Sequence, residues 1–166
     1  HTLRIQQEIT FTNQSNDTLS SIVLNDWNHA YSDKNTPLAQ RFSDEFYRGF
    51  HLAKDSERGG TSNLTILNFE KLFLSWNRST ENPDLITVDL RDKLMPNQSV
   101  TLYLTYFSKI PSNQFTKYGY ASNGNLNLKN WYVTPARYEN SAFVKYSNCN
   151  LDDSANGTVD FFIQFK

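Results

Sequence analysis

The chain has 166 residues, the length of a single domain, and its 12 Phe, 9 Tyr and 3 Trp are sufficient to form an apolar core. Its 16 basic and 17 acidic residues give a net charge of −1 without a run of either sign. This balance argues against nucleic acid or an anionic membrane surface as the main partner. The single cysteine cannot form a disulfide within the chain.

Residues 3–12 alternate between apolar and polar side chains, which predicts a half-buried antiparallel strand. The apolar members of this strand are Leu3, Ile5, Ile9 and Phe11. A polar turn over residues 13–18 follows, and residues 19–25 have the composition of a second strand. We therefore predict that the first two strands form a hairpin.

One helix is predicted after the second strand. Thr36 is a suitable N-cap, and Pro37 would occupy the first helical position. Apolar residues then recur at intervals of three to four, which predicts a helix of about four turns. These residues are Leu38, Phe42, Phe46, Phe50 and Ala53. Gly49 lies inside this pattern and is a candidate for an early helix end.

The rest of the chain returns to strand patterns. We predict strands over residues 63–69, 71–77, 85–90, 100–106 and 159–165, with a β-turn at Pro96 and Asn97. Short strands, polar turns and a single helix indicate an all-β antiparallel sandwich with one inserted α-helix, formed as one domain by residues 1–166. The chain begins and ends within alternating, strand-like segments, and a domain cut there would leave a sheet edge open. We therefore expect the chain to be a fragment of a larger parent protein.

Residues 118–138 are the most aromatic and least regular part of the chain. The large rings are Tyr118, Tyr120, Trp131, Tyr132 and Tyr138, and they lie close to Gly119 and Gly124. Rings beside a turn either plug the open end of a β-sandwich or form a contact surface. The sequence leaves both interpretations open.

Residue patterns that carry catalysis are sparse. His1, His29 and His51 are far apart and lack the spacing of zinc ligands. His29 lies in an aromatic stretch and is predicted to be a hydrogen-bonded packing residue. Cys149 has no base close to it in the sequence, which argues against a nucleophile. We predict no catalytic or metal-binding residue in residues 1–166.

Four segments carry a resemblance to a known family. They are LRIQQEITFTNQSNDTLSSIVLND, DLRDKLMPNQSVTLYLTYFSKIP, GYASNGNLNLKNWYVTPARYENS and NLDDSANGTVDFFIQF. In this order they resemble the N-terminal β domain of aminopeptidase N-type zinc metallopeptidases, the family that includes leukotriene hydrolases. The DW-x-HAYSDK segment is most similar to bacterial members. The resemblance covers nearly the whole chain and depends on the order and spacing of its motifs.

The resemblance implies a saddle-shaped, non-catalytic β-sandwich that packs against a downstream catalytic domain of the same chain. That domain would carry the H-E-x-x-H zinc site and the G-x-M-E-N strand, so zinc and the peptide substrate belong to the parent protein. The residues expected nearest its cleft, or at the domain interface, are Asn130, Trp131, Tyr132, Arg137 and Tyr120. The family's loop Gln or Glu that holds the substrate's amino terminus has no counterpart in NWYVTPAR, residues 130–137. This departure would fit members that lack aminopeptidase activity.

Two alternatives remain open on the sequence alone. A carbohydrate-binding module could use an aromatic platform of Trp76, Trp131, Tyr118 and Tyr120 to stack sugar rings. A structural or adhesion domain of a cell-surface protein would need no small ligand. The parent protein is expected to be exported or associated with a membrane.

Overall fold

The computed structural model describes residues 1–149 and 159–165. Two antiparallel sheets face each other in this part of the chain. The first has the order β1 (Thr2–Thr12), β6 (Ser99–Lys109), β3 (Gly60–Leu67). The second has the order β4 (Trp76–Arg78), β5 (Leu85–Leu94), β2 (Leu19–Asn25), β9 (Thr134–Pro135).

Shorter elements connect and cover these sheets. Two small hairpins pair β7 (Gly119–Tyr120) with β8 (Leu126–Asn127) and β10 (Tyr138–Glu139) with β11 (Ala142–Phe143). The helical elements are α1 (Pro37–Asp44), α2 (Gly49–Leu52) and the 3-10 helices Trp27–Tyr31 and Asp55–Glu57. None of the helices in the described part of the chain has the length and hydropathy needed to cross a membrane.

The main core lies between the two sheets. Alternation places Ile5 and Ile9 of β1 opposite Tyr106 and Leu102 of β6, with all four side chains buried. The second sheet contributes Ile22, Leu24, Ile86 and Val88 to the same cluster. Burial of one face of each sheet against the other is the main stabilising term of such a fold. The structure confirms the predicted all-β, sandwich-like fold with antiparallel sheets.

A second apolar cluster lies under the helices. Its largest buried side chains are Tyr31, Phe42, Phe50, Phe115 and Tyr118. The rings of Phe50 and Phe115 meet at right angles with centroids 5.4 Å apart, a favourable edge-to-face arrangement. Tyr118 therefore belongs to the core, as the plug interpretation predicts for this ring.

The predicted β1–β2 hairpin is wrong. Strand β1 pairs with β6 and β2 pairs with β5, so the two strands belong to different sheets. The buried side chain of Asn13 holds the connection by donating to the carbonyls of Asp17 and Leu94. Each strand has one apolar face, and both faces are buried only when the strands lie in opposing sheets.

The predicted single helix is also corrected, because two short helices replace it. Thr36 caps α1 by accepting the Ala39 N–H at 3.2 Å, as predicted. The chain then turns at Phe46, which has a φ of 57°, and Gly49 begins α2 and does not end a helix. The turn brings Phe50 back onto Phe42, with ring centroids 5.3 Å apart. A straight helix would place the two residues on one face but about 12 Å apart along its axis, too far for their rings to touch.

Two strand predictions differ from the structure. The region of the strand predicted over residues 71–77 contains only the three-residue β4 and an isolated bridge from Leu67 to Phe73. Residues 159–165 form no strand, although their sequence alternates. A strand needs a neighbour that satisfies its backbone groups, and these residues are not hydrogen-bonded into either sheet.

Candidate functional site

Residues 130–136 run along the side of the sandwich where β1 is the edge of the first sheet and β2 is the last long strand of the second. Thr134 and Pro135 pair with Asn25 and Leu24 of β2. The N–H of Ala136 donates to the carbonyl of Val23 at 2.8 Å. These contacts fix one side of the segment to the second sheet.

The other side of this segment is bound to the first sheet through side chains. The hydroxyl of Tyr106 accepts the Val133 N–H at 3.0 Å and donates to Oε1 of Gln7 at 2.7 Å. Nε2 of Gln7 donates to the Val133 carbonyl at 2.7 Å, which closes the ring of hydrogen bonds. Burial is the main cause of a raised pKa for Tyr106, so the hydroxyl keeps its proton and can donate.

A second chain of hydrogen bonds holds the backbone of Trp131. The Ser108 hydroxyl donates to the Trp131 carbonyl at 3.1 Å, and Nδ2 of Asn28 donates to the Ser108 hydroxyl at 2.9 Å. The hydroxyl of Tyr118 donates to Oδ1 of Asn28 at 2.8 Å. Ser108 and Asn28 are buried, so these bonds are shielded from water. Trp131 is thus presented from a rigid backbone.

Tyr106→Phe should lower the free energy of unfolding by about 1–3 kcal/mol, because the buried Val133 N–H and the Gln7 side chain lose their partner. Urea unfolding monitored by far-UV circular dichroism measures this loss. Trp131 should also become more mobile, which tryptophan fluorescence anisotropy reports. Tyr103→Phe is the matched control, because its ring faces the opposite side of β6. Equal stability of the two variants would contradict the proposed hydrogen-bond ring.

Trp131 begins a continuous group of aromatic side chains. Its ring meets Tyr132 at 89° with centroids 5.4 Å apart, and Phe165 stacks on it at 6.3 Å. Phe161 contacts Tyr132 at 4.8 Å. We call these four residues the Trp131 surface. Phe161 is 50% exposed and Phe165 is 72% exposed, and the neighbouring Phe162 is 92% exposed. Adjacent exposed rings of this kind mark a contact surface.

Tyr120 and Arg137 contact residues outside the Trp131 surface. The Tyr120 ring lies on His1 with centroids 4.0 Å apart. Arg137 is exposed and forms an ion pair with Glu139 at 2.9 Å, on the hairpin beside an open cleft of about 350 Å³. Asn130 precedes the surface with a left-handed φ of 54°. Of the residues named from the resemblance, only Trp131 and Tyr132 form part of the Trp131 surface.

The four-ring platform of the carbohydrate interpretation is not assembled. Tyr118 is 5% exposed and lies inside the second apolar cluster, where its hydroxyl is bonded to Asn28. Trp76 of β4 packs against the main core, and the Tyr120 ring lies on His1, so neither ring joins Trp131 in a flat face. Stacking on a sugar ring needs exposed, flat aromatic faces.

A buried polar cluster at Asp26 was not predicted from the sequence. Asp26 is 2% exposed, and its carboxylate accepts from the Thr61 hydroxyl at 2.7 Å and from Nη2 of Arg78 at 2.5 Å. Arg78 also donates to the carbonyl of Pro83 at 2.8 Å. The three side chains come from positions 26, 61 and 78, so no local motif signals the cluster. It joins the loop after β2 to β3 and β4.

Asp84 is the second buried carboxylate in this region. It accepts from the Ser147 hydroxyl at 2.5 Å and from the Asn148 N–H at 2.6 Å. Burial is the largest cause of a raised pKa for Asp84, and these two donors partly oppose the shift. Both oxygens are engaged in holding residues 147–148 against the sandwich. The arrangement is that of a structural anchor.

His29 packs against the Asp26 cluster, which confirms the prediction of a hydrogen-bonded packing residue. Its Nδ1 accepts the Thr61 N–H at 3.1 Å, so the ring is neutral. Burial is the largest cause of a lowered pKa, and the nearby Arg78 lowers the pKa of His29 further.

We expect a pH dependence from His29. The unfolded chain binds a proton as the pH falls through about 6.5, whereas folded His29 does so only at lower pH. Its contribution to stability is therefore present above about pH 6.5 and is lost below it, by at most about 1.4 kcal/mol per pH unit. His29→Asn keeps an acceptor for the Thr61 N–H but cannot bind a proton. Between about pH 7.5 and 5.5 its free energy of unfolding, measured with urea, should therefore fall less than that of the unaltered chain. An equal loss in both proteins would contradict the prediction.

Comparisons with known proteins add no family assignment. No protein-family model matches the chain, and the search of curated proteins finds no significant match. Within residues 1–149 and 159–165, no group of three or more His, Cys, Asp or Glu side chains is arranged as metal ligands. The Trp131 surface is the candidate site that the geometry favours.

Proposed function

We propose that this chain is a non-catalytic β-sandwich domain that docks a second domain through the Trp131 surface. The observation that carries this proposal is a contiguous set of rings on a backbone held by buried hydrogen bonds. Trp131 and Tyr132 are half-buried, and Phe161 and Phe165 are exposed. The resemblance of the four sequence segments suggests that the docked domain is the catalytic domain of an aminopeptidase N-like zinc metallopeptidase.

The chemistry of the Trp131 surface suits protein docking. Trp and Tyr are the side chains most enriched at interface positions that dominate binding energy. The hydrogen bonds to Ser108 and Tyr106 hold the backbone of this segment before any partner arrives. Association then loses less conformational entropy than docking of a mobile loop would. Covering Phe161, Phe162 and Phe165 would also remove apolar area from water.

In this proposal the chemistry belongs to the partner domain. The zinc ion and the residues that bind a peptide would come from the catalytic domain, and the present chain would wall its cleft. The sequence encoded after Lys166 provides the first test. Absence of both H-E-x-x-H and G-x-M-E-N from the next domain's length would contradict the peptidase part of the proposal.

The docking part is tested by calorimetric titration of the 166-residue chain with the separately expressed following region. Trp131→Ala should weaken binding about 30-fold or more, the effect of a hot spot of about 2 kcal/mol. Phe46→Ala is the control, because Phe46 is 91% exposed on the connection between α1 and α2. We expect this control to bind like the unaltered chain.

Two outcomes would contradict docking through the Trp131 surface. One is equal binding by the Trp131→Ala and Phe46→Ala variants. The other is glycan binding by the unaltered chain that is lost in Trp131→Ala while circular dichroism shows an intact fold. The second outcome would support a carbohydrate-binding module.

A further inference from the structure

Strand β1 has a long, regular edge to which no other strand in residues 1–149 and 159–165 is hydrogen-bonded. Its 11 residues pair with β6 on one side without a register shift. The Ile110 N–H donates to the His1 carbonyl and the Asn13 N–H to the Gln98 carbonyl, both at 2.9 Å. Hydrogen-bonded pairs alternate in an antiparallel ladder, so the odd-numbered residues of β1 are bonded to β6.

The even-numbered residues of β1 therefore direct their backbone groups to the other side. They are Thr2, Arg4, Gln6, Glu8, Thr10 and Thr12, and all six are exposed. Among the described residues, no N–H or C=O partner is found for these backbone groups. The unpaired backbone groups of these six alternate residues form a template on which another strand can pair.

The other sheet edges carry features that prevent such pairing. Strand β3 has a register shift between Ser62 and Thr65, with a φ of 53° at Asn63. Strand β4 has three residues, and β2 is covered by β9 at Leu24 and Asn25. Strand β1 has no bulge, proline or glycine. Proteins normally protect edges by such devices, so the unprotected β1 edge indicates a site that receives a partner.

We propose that the β1 edge binds an extended, antiparallel polypeptide strand of complementary charge. Arg4 and Glu8 lie on the outer face, opposite Phe107 and Tyr103 of β6. Neither side chain forms an ion pair or hydrogen bond with another described residue. An antiparallel strand would place a basic residue opposite Glu8 and, four residues later, an acidic residue opposite Arg4.

The inner face of β1 specifies the residues between those two charges. Between Arg4 and Glu8 the inward side chains are the buried Ile5 and the half-buried Gln7. The inward positions of the added strand lie beside them on the core side of the sheet and are therefore apolar. The motif is thus a base, an apolar residue, any residue, an apolar residue and an acid.

A single strand fits this edge better than a second whole copy of the chain. The segment that closes the sandwich lies next to β1, where Gln7 bonds to Val133 and Phe11 contacts Phe143 at 6.1 Å. In a symmetric dimer through β1, the closing segments of the two copies would meet beside the paired strands and would hinder close approach. A lone strand needs only about 4.8 Å of lateral space.

The test is a fusion of the peptide VTVKVTVEVT ahead of His1 through a short Gly/Ser linker, compared with the charge-exchanged peptide VTVEVTVKVT. A short linker gives an effective concentration in the millimolar range. NMR hydrogen exchange should show the amides of Arg4, Gln6 and Glu8 slowed about tenfold in the matched fusion, as expected when the edge is free about one-tenth of the time. The slowing should be smaller in the exchanged fusion.

The chain offers a matched reversal of this experiment. The double variant Arg4→Glu/Glu8→Lys should prefer the charge-exchanged peptide, while its circular dichroism spectrum stays unchanged. Equal, fast exchange of the three amides in both fusions would overturn the proposal. Protection of the same amides in the unfused chain, with a dimer in sedimentation velocity, would overturn it in favour of a second copy. None of these results depends on the Trp131 surface.

Discussion

Replacement of Asp26 by alanine is expected to lower the free energy of unfolding by about 3–5 kcal/mol, the cost of removing one partner of a buried ion pair. The Asp26 side chain is 2% exposed and the Arg78 side chain is 17% exposed. The substitution leaves the guanidinium largely desolvated without its carboxylate, and the Thr61 hydroxyl loses its acceptor. Chemical denaturation at neutral pH measures the loss.

A double variant separates the unpaired charge from the lost packing. Asp26→Ala/Arg78→Met removes both charges and keeps much of the Arg78 side-chain volume. We expect it to be more stable than Asp26→Ala, because no unpaired buried charge remains. If Asp26→Ala costs less than about 1 kcal/mol, the pair behaves like an exposed ion pair and our account of the cluster is wrong.

Gly119→Ala is expected to be comparably destabilising. Gly119 has a φ of 139°, and a Cβ built there would lie 2.5 Å from the Pro111 carbonyl oxygen and 2.8 Å from the Asn113 nitrogen. The backbone conformation alone costs a non-glycine residue about 1–3 kcal/mol. The overlap with backbone atoms adds to this, because neither neighbour can rotate away. The bond from the Tyr120 N–H to Pro111 would also be displaced.

Gly124→Ala is the matched control for that experiment. Gly124 has a φ of 87°, but no heavy atom lies within 4 Å of a Cβ built there. Its substitution should therefore cost only the backbone strain, about 1–2 kcal/mol. Thermal unfolding of the two variants measures the difference. A melting temperature of Gly119→Ala equal to that of Gly124→Ala would show that the loop from Pro111 to Asn113 yields to the added methyl group.

Alternation predicted the strands of the main core well. The prediction for residues 3–12 is confirmed by β1, and the strand predicted over residues 100–106 is confirmed by β6. Within β6 the alternate residues Leu102, Leu104 and Tyr106 are buried. The turn at Pro96 and Asn97 is present, with a φ of 63° at Asn97. These features depend on local geometry, because a period of two places one face of each strand in the core.

The candidate site was only partly predictable. Trp131 and Tyr132 are adjacent in the sequence, and their contact follows from that position. The contribution of Phe161 and Phe165 does not follow from the sequence, because the alternation of residues 159–165 predicts a strand. The hydrogen bonds from Gln7, Tyr106 and Ser108 join residues that are 23 to 126 positions apart in the sequence. No local sequence pattern predicts hydrogen bonds between residues so far apart.

Local sequence patterns predicted the elements with a clear period, and composition gave the balance of charge. The sequence contains no local zinc or nucleophile motif. Tertiary structure alone decided which strands are neighbours, since strand pairing depends on contacts between distant residues. It separated β1 from β2 and divided the predicted helix at Phe46. It also left one edge of β1 without a paired strand among the described residues. It also assembled the Asp26 cluster, because a buried charge is stable only where distant donors converge on it.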